Sequence, residues 1–477
     1  MKSIWSKSVA LPHFEGLEKD LEADTVIIGG GITGLLTAYK LKEKGVDAAI
    51  LEAAEICSGQ TANTTAKITC QHGLIYKRLT DAFGEKNARK YAQSNSHAID
   101  EYERIISKEG IKCSFERLPS YLYTFSDIKA LQQECESAKK LGIEAYLTED
   151  IRLPVKIRAA LCFENQAQFN PLEFASAIAR KLKIYENSTA VYDGKGSLTA
   201  NGRKIRTKHI VIASHYPFID SSGLYFLKLH QARSYAIAFE DCGDIGGMYY
   251  GIDPGTLSFR NYGGLLIASG GSHRTGESSG DEFASVTAKV KAIFPKAGEI
   301  ARWSAQDCMP PDSVPYIGRY SEKHGNFYVA SGFQKWGMTS AMVAAEIISD
   351  IICGIKNENA DIFSPARGVA AASCELVRNG LHTADALVLK KLKSPSKSVS
   401  QLKNGEGDIV RYNGRTVAAY KDENGVVHAV SPNCTHLGCR LRFNTALKSW
   451  DCPCHGSRFD IEGRVINNPA LKNLEKY

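Results

Sequence analysis

The regular patterning of the chain begins with a short unbroken apolar run, Asp24-Thr-Val-Ile-Ile28, which predicts a buried strand. It runs straight into Gly29-Gly-Gly31-Ile-Thr-Gly34 and a helical spacing of apolar residues to about Lys44, after which Val46 to Leu51 predicts a second strand ending at Glu52. Helical spacing returns over 83–109 and 127–141, and an Asn170-Pro171 start signal places another helix over 171–183. Ile205 to Ser214, with the core Ile210-Val-Ile-Ala213-Ser-His215, predicts a strand that returns beside the first. From Gln231 to Leu266 apolar and polar residues alternate in several runs, which predicts an antiparallel sheet, and Gly270-Gly271-Ser-His273-Arg274 after it reads as a loop. Pro315 to Ile352 then repeats the strand–glycine–helix order: Pro-Tyr-Ile-Gly318, a strand from Asn326 to Ser331, Gly332-Phe-Gln-Lys335-Trp336-Gly337 and a long helix.

The pattern changes after that helix. Residues 353–400 carry Asn-Glu-Asn-Ala, Ser364-Pro365, a run of small residues and a stretch rich in Lys, Ser and Pro, which predicts a linker over 366–400. It separates a larger unit, 1–365, from a smaller one, 401–477. In the smaller unit Ile409 to Tyr412, Arg415 to Lys421 and Val426 to Val430 are short strands joined by Asn-Gly turns at 413–414 and 424–425, so it is expected to be all-β. A chain of 477 residues is too long for one ordinary core, in keeping with this division.

Composition narrows the setting. A hydrophobic content of 43% fits a soluble globular protein. The apolar run around Ile347 to Ile352 is broken by Glu346, Ser349 and Asp350, so no stretch reaches the ~20 residues that span a bilayer. The N-terminal arm lacks a signal-peptide core, and a cytoplasmic location is the expectation. A net charge of +7 without a dense Lys/Arg block or an aromatic ladder argues against a nucleic-acid partner. Cysteines 57, 70, 113, 135, 162, 242, 308, 353 and 374 are scattered without a pairing rhythm, as reduced thiols are.

The first strand–helix–strand unit carries a dinucleotide fingerprint. Gly29 allows the tight turn, Gly31 lets a pyrophosphate approach the backbone, Gly34 lets the helix lie close on the strand, and Thr33 sits in the same turn. The helix N-terminus faces the phosphates, and Glu52 stands where a carboxylate accepts bonds from a ribose. Ser58-Gly59-Gln-Thr61-Ala-Asn-Thr64-Thr65-Ala-Lys67 follows, a small, hydroxylated turn that suits a flavin more than a nicotinamide. No second GxGxxG follows a strand and opens a helix, so a built-in NADH or NADPH site is not expected.

The most specific stretch lies in the small unit. Cys434-Thr-His436-Leu-Gly-Cys439 and Cys452-Pro-Cys454-His455-Gly-Ser457 gather four cysteines and two histidines. Zinc sites usually pair C-x2–4-C with H-x3–5-H, a spacing these boxes do not match. They resemble a Rieske [2Fe–2S] centre. The resemblance implies that Cys434 and Cys452 hold one iron and His436 and His455 the other, a ligand set that raises the potential. It further implies a Cys439–Cys454 disulfide, a Ser457 hydroxyl bonded to a bridging sulfide, and a covering proline loop at Asn468-Pro469-Ala470. Phe459 stands where high-potential members carry a tyrosine, which implies a somewhat lowered potential.

The first ~360 residues resemble the glycine oxidase, sarcosine oxidase and D-amino-acid oxidase superfamily of FAD enzymes, on the fingerprint, the flavin turn and the Gly332 to Gly337 unit. That resemblance implies a doubly wound, Rossmann-like α/β FAD domain built from about 22–80, 200–220 and 300–355, with an antiparallel-sheet substrate domain between. It adds Gly318, Gly332 and Gly337 to the flavin-contacting residues. Lys335, Arg233 and Lys67 are candidates for the cation that anchors a substrate carboxylate, and His273 for an active-site base. The function expected is oxidation of the C–N bond of an amine or amino acid at FAD, with electrons passed to the Rieske cluster and on to an acceptor, protein or quinone. A non-catalytic redox carrier or sensor, and a reductase running from cluster to flavin, are the alternatives.

Overall fold

The computed structural model describes residues 1–219, 222–278, 280–367, 395 and 397–477. The linker expected over 366–400 lies almost wholly outside the described residues, as does Cys374. Residues on either side of it already belong to the two units: Arg367 pairs with Asp312, and Lys397 accepts a backbone bond from Arg411.

The first strand, Leu21–Ile28, is buried on both faces because it lies at the centre of an eight-stranded sheet. It pairs in parallel with Ala48–Leu51 on one side and Arg203–Ile212 on the other, and the latter pairs in parallel with His324–Ser331. The helix Ile32–Glu43 lies between this sheet and the helix Gly337–Ile352, so nearly every one of its residues is buried. This is the doubly wound layer that the resemblance implies.

A nine-stranded sheet forms the second layer, in the spatial order Gly298–Met309, His230–Glu240, Leu265–Arg274, Ser258–Tyr262, Met248–Gly251, Glu116–Thr124, Ala159–Gln168, Lys67–Ile68, with Ala145–Thr148 also paired to Ala159–Gln168 off this path. Its pairings are antiparallel except that Met248–Gly251 runs parallel to Glu116–Thr124, joining two antiparallel halves. Two local expectations change. The loop expected at 270–274 is the end of the strand Leu265–Arg274, because Ala232 and Arg233 continue the ladder across from Arg274 and His273. The helix expected over 171–183 ends at Ala179, because Lys183–Tyr185 is needed as an edge strand beside Ala49–Leu51.

The small unit holds a three-stranded and a four-stranded antiparallel sheet. Asn413 and Gly414 both take positive φ, +47° and +75°, as a two-residue turn between twisted strands requires. Its core packs Leu441, Trp450 and Phe459 around the four cysteines. Among the described residues no helix is long and apolar enough to cross a membrane.

Candidate functional site

A cavity of about 1090 Å³ opens at the carboxyl ends of the parallel strands and continues between the two sheets. Gly29, at φ +115°, bends the chain so tightly that a Cβ there would stand 2.6 Å from the Ala213 carbonyl oxygen. A Cβ on Gly34 would stand 1.9 Å from the Gly29 carbonyl oxygen, so only glycine lets the helix start here. Thr61 Oγ1 accepts the Ile32 N–H at 3.0 Å, fixing the small hydroxylated turn against that helix N-terminus. The Glu52 carboxylate is oriented by the N–H groups of Gly30 at 2.7 Å and Ala54 at 2.9 Å and faces the cavity with lone pairs to spare. Gly29, Gly31, Thr33, Glu52, Ser58, Gly59, Thr61, Thr64, Gly332 and Gly337 all line the cavity. Gly34 packs behind it, and Gly318 lies away from it beside Pro365 and Ile351. A phosphate cradle at a helix N-terminus, a ribose-facing carboxylate and an elongated cavity fit FAD.

Of the four catalytic candidates, Lys67 and Lys335 line the cavity and Arg233 and His273 do not. Lys67 Nζ donates to the Tyr249 carbonyl at 2.9 Å and to Ser258 Oγ, and burial, with Arg260 nearby, pulls its ammonium down to about 7. Arg233 is 1% exposed and turns under the sheet to Gln306 Oε1 and Ser304 Oγ. His273 is spent on Tyr235 Oη at 3.0 Å and the Arg274 carbonyl at 2.7 Å. On these strands Ser234 to Ala236 and Ser269 to Ser272 reach the cavity, and Arg233 and His273 lie just outside those runs, Arg233 at the register shift before Tyr235.

Sequence reasoning missed two titratable groups in the wall. Burial pushes the Asp307 carboxyl up to about 6, against the pull of Lys335 and Arg233. His215 is held at φ +68° just beyond the strand Arg203–Ile212, and burial takes its imidazole down to about 4. A lone acid in an alternating strand and a histidine after an apolar run carry no local signal. Trp336 also lines the cavity, stacked on His72 at 5.0 Å between ring centroids. The loop of Thr64 to Ala66 is tied from outside by Trp5 Nε1 to the Thr64 carbonyl at 2.8 Å and by the buried Arg260 to the carbonyls of Thr65 and Ala66.

In the small unit the two boxes form facing loops. The Cys439–Cys454 disulfide joins them, while Cys434 and Cys452 remain free and buried. The rings of His436 and His455 lie 5.0 Å apart at right angles. Nδ1 of His436 and both ring nitrogens of His455 are buried without a hydrogen-bond partner. Burial lowers the basicity of both, His455 to about 3, which keeps the imidazoles neutral as iron ligands must be. Two free thiols and two neutral imidazoles with orphaned nitrogens fit a [2Fe–2S] cluster of Rieske type. Ser457 Oγ accepts the Ala470 N–H at 3.0 Å, which ties the proline loop to the second box.

The cavity wall is completed by the small unit: Val465, Ile466, Asn467, Asn468 and Leu471 line it. A flavin cradle whose wall is completed by the unit that carries a Cys2His2 centre defines a flavin- and iron–sulfur-dependent oxidoreductase. The chain belongs to the DAO family of FAD dependent oxidoreductases, which it matches over residues 24–351, and it carries a Rieske [2Fe-2S] domain matched over residues 393–477. It is 36% identical over 494 residues to the Bacillus subtilis (strain 168) protein YhfW, described as a Rieske 2Fe-2S iron-sulfur protein, across 100% of this chain and 97% of that one. Among solved structures it shares its fold with L-proline dehydrogenase from P. horikoshii (TM-score 0.63, 19% identity, 73% of this chain and 98% of that one). Glycine oxidase from Geobacillus kaustophilus is similar in the same way (TM-score 0.62, 16% identity, 73% and 100%).

Proposed function

We propose that the protein oxidises the C–N bond of an amine or amino acid and passes the electrons through its Rieske centre to an external one-electron acceptor. The observation that carries this reading is the shared wall, in which one cavity is lined by both the flavin fold and residues 465–471 of the iron–sulfur unit. When bound, FAD supplies a two-electron acceptor for the substrate and the cluster a one-electron carrier. The chain's own residues supply position and charge. Lys335 and Lys67 offer ammonium groups at the cavity for a substrate carboxylate, and Trp336 and Tyr250, whose rings are 5.4 Å apart, wall it with apolar surface. Asp307 sets the charge balance beside Lys335. The likeness to amino-acid and amine oxidising enzymes supports the C–N bond as the target, and the buried free thiols support a cytoplasmic setting.

The test is anaerobic stopped-flow absorbance on cofactor-loaded protein mixed with glycine, sarcosine, proline and simple amines, with flavin and cluster bands followed separately. Flavin bleaching followed by cluster reduction is the expected order. If no amine bleaches the flavin while a reduced carrier protein fills the cluster, the substrate-oxidising reading falls and electron flow from cluster to flavin replaces it.

A further inference from the structure

The two cluster-binding loops are placed differently relative to the flavin cavity. The second, Cys452 to Ser457, lies on the flavin unit. Gln231 Nε2 donates to the His455 carbonyl at 2.7 Å, and Gln306 Nε2 donates to the Gly456 carbonyl at 2.8 Å and to Gln231 Oε1. Gly456, at φ +80°, permits this approach, since a Cβ there would stand 2.5 Å from Gln231 Cβ. Both glutamines are almost fully buried, at 1% and 0% exposure, so their amide groups are committed to these bonds. His436, on the first loop, is only half-buried and is followed by Leu437 at 44% exposure.

The same glutamines stand directly behind the cavity wall. The Gln306 N–H donates to Gln60 Oε1 at 2.7 Å, and Gln60 and the flanking Ala305 and Asp307 line the cavity. Gln231 Nε2 also donates to the Asn468 carbonyl at 3.2 Å, and Asn468 lines the cavity. One hydrogen-bonded side chain therefore spans from a cavity-lining residue to the backbone of a cluster ligand.

We propose that electrons pass between the flavin cavity and the cluster through the buried histidine loop, along the Asn468 carbonyl, Gln231 and the His455 carbonyl with Gln306 bracing Gly456, and not through the His436 loop. The inference rests on the reading that both cofactors exchange electrons within one molecule. In the step assigned to these residues reduced flavin loses one electron and a ferric iron of the cluster becomes ferrous. Gln231 and Gln306 are positioning residues: buried amides bonded to two successive carbonyls of one ligand loop hold that loop at a fixed distance from the cavity.

The experiment supplies electrons by light, with no amine present, so it is independent of the substrate reading. Anaerobic holoprotein is photoreduced at the flavin by a flash, and the cluster band is followed in wild type, Gln231→Leu, Gln306→Leu and Leu437→Gln. Flavin content, cluster absorbance and the electron paramagnetic resonance spectrum establish that each variant is loaded, and a redox titration records both potentials. The expected result is that cluster reduction slows roughly tenfold or more in the two glutamine variants, beyond what their shift in potential accounts for, and is unchanged in Leu437→Gln. Unchanged rates in loaded Gln231→Leu and Gln306→Leu would overturn the proposal, as would slowing confined to Leu437→Gln. Should a glutamine variant lose its cluster, Gln60→Leu in flavin-loaded protein reads the bracing of Gln306 from the cavity end, and an unchanged rate there overturns it equally. If light never reduces the cluster in wild type, the two-cofactor reading itself fails, a different outcome from a rerouted electron.

Discussion

Single residues in this protein take their chemistry from where the fold puts them, and Asp307 is the clearest case. Its carboxyl, ordinarily near 3.8, is pushed up to about 6 by burial, so it is neutral below that pH and anionic above. A substrate carboxylate beside Lys335 therefore meets a less favourable field as pH rises through about 6, and its affinity is expected to fall roughly tenfold, the worth of about one pKa unit. Asp307→Asn should remove that dependence and hold affinity at its low-pH value. Flavin absorbance changes on titration with an unreactive carboxylate, at several pH values, check this. The stability sign follows from the same shift. With its folded value above its unfolded one, the native state binds this proton more tightly, so the contribution is full below about 4 and lost as pH rises through about 6. The cluster ligands give a sharper test: Cys452→Ser should abolish iron binding and the visible cluster bands while leaving flavin bound, read by iron analysis and absorbance. Those ligands were legible in the sequence because close spacing of rare residues is itself the signal. His215 and Asp307 were not, since burial against a distant strand is what changes them.

Elements were legible wherever their own periodicity decided them. The strand at Leu21–Ile28, the helix after Gly31 and the hairpin at Asn413-Gly414 all follow from local pattern. Where a distant group sets a boundary, local pattern fails. The helix expected over 83–109 follows a break at Gly84 (φ +77°), but a further helical segment from Tyr76 precedes that break, because the buried Glu134 carboxylate accepts the N–H groups of Ile75, Tyr76 and Lys77 from another helix. The N-terminal arm, too short of apolar residues for a signal-peptide core, carries the helix Ile4–Ser8, which buries Trp5 completely and ties it to Thr64 on the cavity loop. Trp5→Ala is expected to cost about 3–5 kcal/mol, the usual range for a buried aromatic. Because that side chain holds the loop of Thr64 to Ala66, flavin should dissociate more readily as well. Thermal unfolding and flavin release on dilution would separate this from a purely global loss, which would lower the melting temperature without changing flavin affinity.

At the scale of the whole molecule, the two units were separable in sequence, but their docking was not. Among the residues that make it, Gln231, Gln306, Arg274 and Asn468 are ordinary polar side chains with no spacing signature. What they share is the chemistry of their partners. Gln231, Gln306 and Arg274 donate to the carbonyls of His455, Gly456 and Pro453, and Asn468 donates to those of Ser214 and Tyr216. Buried bonds that end on neutral carbonyls depend little on mobile ions, whereas exposed charges more than a Debye length apart, about 8–10 Å at moderate ionic strength, are screened by salt. Electron passage between flavin and cluster should therefore change by less than about twofold between roughly 20 mM and 500 mM salt, because the docked geometry is held by those bonds. Reduction of an external protein acceptor, which must find the cluster by diffusion, should vary far more steeply if opposite charges guide the encounter. Flash photoreduction across a salt series checks the first rate without any acceptor present. A steep salt dependence there would mean that the units associate through screened charge rather than through the carbonyl-terminated contacts, and that the shared cavity wall forms only part of the time.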